Sequence, residues 1–204
     1  MTKPSKPNIA FVLGLGLSLL IGNTLNGNIS YWLNNHFSTL NNEPDHEEVH
    51  VHSDFALYIN DKQIHFTDDK YQSTTNHVLL EDMHLHDNDD EVIHRHADGI
   101  TLVQFLASLG YTLTEDCLTN DTGEEFCTDE DHVLALYVNG EKISPLNNYI
   151  NQEEDQILLY YGAPDSPNLN TYLKSVTENA CIFSGTCPEK GLPPPESCGL
   201  TCEI

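Results

Sequence analysis

A nine-residue pattern occurs twice in this 204-residue chain, as ALYINDKQI at 56–64 and as ALYVNGEKI at 135–143. Apolar residues alternate in each copy up to an Asn followed by Asp or Gly. Side chains of a strand point to opposite faces in turn, and Asn-Gly readily takes the positive φ angles of a two-residue hairpin turn. Each copy therefore predicts a β-hairpin, turning at Asn60-Asp61 and at Asn139-Gly140. A Tyr follows each copy (Tyr71, Tyr149), and then an apolar run that reads as a third strand, Val78-Leu79-Leu80 and Ile157-Leu158-Leu159. Between the copies, Thr101 to Leu109 has the marks of a helix. Thr101-x-x-Gln104 is a capping box, Leu102, Phe105, Leu106 and Leu109 form one apolar stripe, and Gly110 suits a left-handed carboxyl cap. Hairpin, helix, hairpin, strand is the order of a β-grasp. The expected fold class is α+β: a β-grasp-like mixed sheet with one crossing helix, preceded by an extra β-hairpin unit. A second helix is expected over 167–179, with Leu169, Tyr172, Leu173 and Val176 docking the C-terminal segment on the domain.

The chemistry lies in three His-x-His pairs within 47 residues: His50/His52, His84/His86 and His94/His96. On a strand each pair puts two imidazoles on one face, roughly 7 Å apart at the backbone. The last two pairs flank the turn-favouring run Asp87-Asn88-Asp89-Asp90-Glu91 and so predict a hairpin. Symmetry about Asp90 sets His86 opposite His94 and His84 opposite His96, and any even-sum register keeps all four on one face. Neutral imidazole suits zinc, copper(II) or nickel(II), so the expected cofactor is a divalent transition metal. His50, His52, His84, His86, His94 and His96 are the candidate ligands. Asp54, on the His50/His52 side of its strand, and Asp87, in the acidic turn, are candidate oxygen ligands. Histidine also occurs as an ordinary polar residue on a solvated strand, and His36, His46, His65, His77 and His132 are read that way. The acidic run lacks the glycine and the distal glutamate of an EF-hand.

Charge and cysteines bear on compartment and partners. Thirty-two acidic residues against eight basic ones leave a net charge of −24, which favours cations near the surface and excludes nucleic acid as a partner. Lys3 and Lys6 precede an apolar run from Ile9 to Ile21, and no further Lys or Arg occurs before Lys62. That asymmetry predicts a signal-anchor or transmembrane segment over 1–33 that holds the chain at a membrane with its bulk outside the cytoplasm. A polar linker over 34–48 then leads to a His-rich domain over 49–162, with a C-terminal helix and disulfide-rich tail over 163–204. Six cysteines in an exported chain suggest disulfides. Cys117 and Cys127 bracket a short acidic loop and are expected to pair. Cys181, Cys187, Cys198 and Cys202 lie in a Pro/Gly-rich tail whose pairing is open.

HVHSDFALYIN, HLHDNDDEVIHRHADGITLVQFLASLG, the DCL…EFC loop, ALYVNG, DQILLYYG and the tail CPEKGLPPPESC together resemble a set of uncharacterised, membrane-anchored, His-rich proteins of archaea and candidate-phylum bacteria. Those proteins often carry the label protein-disulfide isomerase. The likeness covers nearly the whole chain and implies an isomerase-like thiol–disulfide activity. The chain departs from that enzyme class in having no Cys-x-x-Cys; its nearest spacing is Cys198-x-x-x-Cys202. The distal half, TLVQFLASLGY through DQILLYYG, resembles the β-grasp modules of extracellular cobalamin-carrier-like domains, which implies fold more than function. Four functions stay open at this point: a metal-binding protein; a metal-dependent enzyme, such as a zinc hydrolase, with Asp54, Asp87 or Glu81 as base; a thiol–disulfide oxidoreductase; and a structural β-grasp interaction module.

Overall fold

The computed structural model describes residues 48–74 and 76–193. The signal-anchor expected over 1–33, the linker up to residue 47, and Cys198 and Cys202 lie outside the described residues. Among the described residues no helix is long and apolar enough to cross a membrane.

Among the described residues, ten strands, three short α-helices and one 3-10 turn (Asp69–Tyr71) form a mixed α+β structure: β1 (Glu48–Ile59), β2 (Lys62–Ile64), β3 (Met83–His84), β4 (Val92–Ala97), α1 (Leu102–Ser108), β5 (Thr112–Leu113), β6 (Cys117–Thr119), β7 (Glu125–Cys127), β8 (Val133–Val138), β9 (Glu141–Ile143), β10 (Gln156–Gly162), α2 (Leu169–Ser175) and α3 (Ala180–Phe183). The main sheet runs β3-β4-β1-β10-β8-β9, with β2 also on β1. The pair β1/β10 is parallel, and every other pair is antiparallel. A small sheet β5-β6-β7 carries the Cys117–Cys127 disulfide between its last two strands.

Both repeat hairpins form as expected. Asn60, Asp61, Asn139 and Gly140 all have positive φ, between 48° and 83°, so the turns follow the right-handed twist of their strands. The third strand forms only in the second copy, as β10. Val78-Leu79-Leu80 of the first copy is not a strand; Val78 is exposed, while Leu79 and Leu80 pack on the core edge. In the second copy the third strand lies on the side of β8 away from β9; the matching side of β1, away from β2, is taken by β10 itself.

Strand alternation builds two cores. Phe55, Leu57 and Ile59 of β1 join Ile157 and Leu159 of β10 and the α1 stripe of Leu102, Phe105 and Leu106 on one face. Thr101 and Gln104 form the capping box, and Gly110 follows with φ 83°. The opposite face is covered as well. Ala56, Tyr58, Leu158 and Tyr160 pack against Tyr172 and Val176, and the Tyr58 ring stacks on Tyr172 at 4.2 Å. The second helix is shorter than the expected 167–179. It ends at Ser175 because Val176 turns extended (ψ 128°), and the chain re-enters a helix only at Ala180.

Candidate metal centre

The three His-x-His pairs meet on one face of the sheet. β1 lies between β4 and β10, and β4 lies between β1 and β3. Registers His52↔His94 and His84↔His94 set three imidazoles in a row across three strands. The hairpin register differs by two residues from symmetry about Asp90. Asp87 and Asn88 both take left-handed φ of 59°, and the Asp89 amide donates to the His86 carbonyl. The tight turn therefore sits nearer β3. Asp89 Oδ1, accepting from the Glu91 and Val92 amides, shapes the residues that remain before β4. The sum of paired positions stays even, so the faces are as expected.

Side chains lean along the strands and close the six rings into a cycle. Going round, the ring centres are 4.6 Å apart for His50–His52, 4.8 Å for His52–His94, 4.0 Å for His94–His86, 5.7 Å for His86–His84, 5.1 Å for His84–His96 and 4.9 Å for His96–His50. Only His50 is exposed; the other five range from 0% (His94) to 6% (His96) exposed. Within this cycle, ligand atoms of His50, His52 and His94 lie within 4.8 Å of one another, a set that could hold a metal ion.

Tautomers follow from the partners. His84 Nδ1 lies 3.0 Å and 3.1 Å from the carbonyls of Leu80 and Glu81, and His86 Nδ1 lies 2.8 Å from Asp87 Oδ2. Carbonyl and carboxylate oxygens only accept, so each Nδ1 carries a proton, and in the neutral ring the lone pair is then on Nε2. Ser184 Oγ is 3.3 Å from His52 Nδ1 and also bonds Glu153 Oε1. The single hydroxyl proton goes to the carboxylate, which leaves the oxygen to accept from His52. The Nε2 atoms of His52, His84 and His86 are all buried. Holding a histidine by one nitrogen so that the other is presented is the usual outer-shell arrangement of metal-binding imidazoles.

Burial first, and then the neighbouring imidazoles of His86, His52, His84 and His96, hold His94 well below the ordinary histidine range. Nearby carboxylates would act in the opposite sense and favour protonated histidine. The carboxylates that touch the cluster do so at its rim. For Glu153, burial pushes the carboxyl up, but hydrogen bonds from His52 and Ser184 outweigh it and keep the group below its usual value.

Asp54 shares the His52 face, yet its oxygens are engaged elsewhere. They accept from the Thr177 hydroxyl (2.5 Å) and from the amides of Asn179 (2.7 Å) and Ala180 (3.2 Å), and so hold the start of α3. Asp54, a candidate oxygen ligand by sequence, is placed here as a buried acceptor for the segment that opens α3. Burial raises its carboxyl against the pull of those bonds. Asp54→Ala is expected to destabilise the domain by about 2 kcal/mol, because two amides lose a buried acceptor. Asp54→Asn keeps an acceptor without the buried charge and is expected to cost much less. Urea unfolding of both variants measures the difference. Asp87 is placed as the partner of His86. Glu81 contributes its carbonyl to His84, and its side chain is exposed. Arg95 points to the other face and bonds mainly to Asn151 and the Ala97 carbonyl, with Asp98 at 3.7 Å. His65 pairs with Asp90, and His132 pairs with Asp129 and stacks on Tyr161.

Three residues of the site had no signal in the sequence: Glu153, Phe183 and Ser184. The parallel pairing Asp54↔Gln156 sets the residues just before β10 beside His52, whose amide donates to Glu153 Oε2. Phe183 covers the cluster from above, 5.6 Å from the His52 ring and edge-on to His94 at 4.8 Å. It and Ser184 lie inside the loop closed by Cys181–Cys187. Among the described residues no cysteine is free. Replacing Cys181 and Cys187 together by Ser loosens this cover, and zinc affinity is expected to fall about tenfold, as for loss of an outer-shell support. Competition against a chelating dye reads the change.

No protein-family model, curated protein or solved structure matches this chain.

Proposed function

We propose that this protein captures a divalent transition metal, zinc or copper(II) with nickel(II) as the third choice, outside the cytoplasm and at a membrane to which its N-terminal segment attaches it. The observation that carries the reading is the set of imidazoles held through Nδ1 with Nε2 turned into a buried cluster. Burying five histidines has no return in packing that leucines would not give better. A coordinated ion supplies one, because it takes up the lone pairs of the ring nitrogens. His50, His52 and His94 are the first ligand set, and the exposed edge at His50 is the entry side. We read the order β2-β1-β10-β8-β9 with α1 across it as a β-grasp, to which β3 and β4 add the two further His-bearing arms.

Capture is favoured over catalysis because two of the three carboxylates considered as bases are engaged, Asp54 in holding α3 and Asp87 in holding His86, and the third, Glu81, is exposed. A thiol–disulfide activity has less support. The described cysteines are bonded as Cys117–Cys127 and Cys181–Cys187, and neither is a Cys-x-x-Cys pair. Metal analysis of the protein purified without chelator tests the proposal, with zinc, copper or nickel expected at one equivalent or more per chain. Protein that is metal-free, and that fails to take up zinc or copper(II) at micromolar concentration, refutes it.

A further inference from the structure

We infer that the cluster is a two-metal centre, with a second divalent ion held by His84, His86 and His96. The inference rests on the reading above, that His50, His52 and His94 hold the first.

A zinc-bound imidazole nitrogen sits about 2.0–2.1 Å from the ion, so three ligand rings around a tetrahedral ion have centres roughly 5 Å apart. Removing His50, His52 and His94 from the cycle leaves His86, His84 and His96 as a continuous run, with ring centres 5.7 Å and 5.1 Å apart. Those two spacings suit neighbouring ligands of one ion, and side-chain rotation has to bring His86 and His96 together on it. They do not suit one ion shared by all six, since such an ion would gather every donor into one set. Among the described residues, the donors that lie within 4.8 Å of one another are those of His50, His52 and His94.

The second set has the better-built support. His84 is fixed by two backbone carbonyls and His86 by the Asp87 carboxylate, each through Nδ1. His86 is 1% exposed, and its Nε2 is buried with no hydrogen-bond partner among the described residues. A buried acceptor left in that state costs stability, because it has given up water without gaining a partner. The structure bears this cost at a nitrogen whose other side is oriented by a carboxylate, the pattern of a carboxylate–histidine–metal triad. Ring contacts of 4.0 Å (His86–His94) and 4.9 Å (His50–His96) join the two sets. The second ion therefore lies beside the first, in an all-imidazole, largely water-excluded pocket.

The test uses the full chain, freed of metal with a chelator and titrated with zinc chloride by calorimetry, and with copper(II) by electron paramagnetic resonance. Wild type is expected to take two equivalents of zinc. His86→Gln is expected to keep one, and Asp87→Asn to keep both with the second about tenfold weaker. The copper signal is expected to rise with the first equivalent and then to broaden and weaken per ion with the second, through coupling of the two spins. Wild type that saturates at one equivalent, with the same affinity in His86→Gln, overturns the second position and leaves the first standing. Loss of both equivalents in His86→Gln also overturns it, because the six imidazoles then act as one site. A copper signal that grows in proportion through two equivalents places the second ion away from the cluster and overturns it likewise. Wild type that binds no metal refutes the underlying reading first.

Discussion

Replacing His94 by Leu is expected to weaken zinc or copper(II) binding more than about 100-fold, beyond what loss of a mere outer-shell partner does, without lowering the stability of the metal-free domain. His94 sits at the junction of the cluster, in register with His52 on one side and His84 on the other, and is 0% exposed. Leucine is of comparable size, so it leaves no large cavity. It also replaces a buried polar ring by an apolar side chain, whose burial carries no polar desolvation cost. A residue kept for packing gives the reverse pattern, with stability lost and binding unchanged. Urea unfolding in chelator, run beside a zinc titration of the same variant, separates the two. Retention of wild-type affinity in His94→Leu removes His94 from the ligand set.

The second large effect is a steep loss of metal affinity in acid. Ligation needs neutral imidazole, so each ligand that must shed a proton lowers affinity tenfold per pH unit below its own pKa. The sign for His94 is fixed by its surroundings: burial, and then the imidazoles of His86, His52, His84 and His96, depress its pKa. It is therefore already neutral at pH 7, and affinity is expected to be nearly flat between pH 7 and 8. As pH falls toward the range in which the ligands take up protons, affinity is expected to fall by more than tenfold per unit once more than one imidazole must shed a proton on binding. A carboxylate site would hold its ion to about pH 5, because Asp and Glu titrate near 4. The same depression affects the metal-free fold. The unfolded chain takes up a proton at His94 below about pH 6.5, while the folded chain resists it, so this contribution is complete above that pH and is lost as pH falls toward the folded pKa. Chelator competition and thermal unfolding across pH 5 to 8 read the two effects. A flat affinity across that range would mean that imidazoles are not the ligands.

Much of this architecture is local and was legible as such. The turns at Asn60-Asp61 and Asn139-Gly140, the Thr101–Gln104 capping box, the α1 stripe and the Cys117–Cys127 pair each depend on residues a few positions apart, whose periodicity and turn chemistry act before any tertiary contact forms. The face-sharing of each His-x-His pair is of the same kind, because a strand has a side-chain period of two whatever lies beside it. Three things were decided only in the folded molecule. The tight turn at Asp87-Asn88 moved the hairpin register by two residues. The long first half of β1, which extends past β10, placed His50 and His52 beside His94 and His96 and so made one cluster from three motifs. The chain beyond β10 then folded back over the same face, bringing Phe183 and Ser184 onto the imidazoles and drawing Asp54 into holding α3. Such contacts join residues about a hundred positions apart, and which of them form depends on what else competes for the same face. Hydrophobic packing of Tyr172 and Val176 on the sheet settles that competition, and no local pattern around the histidines encodes it.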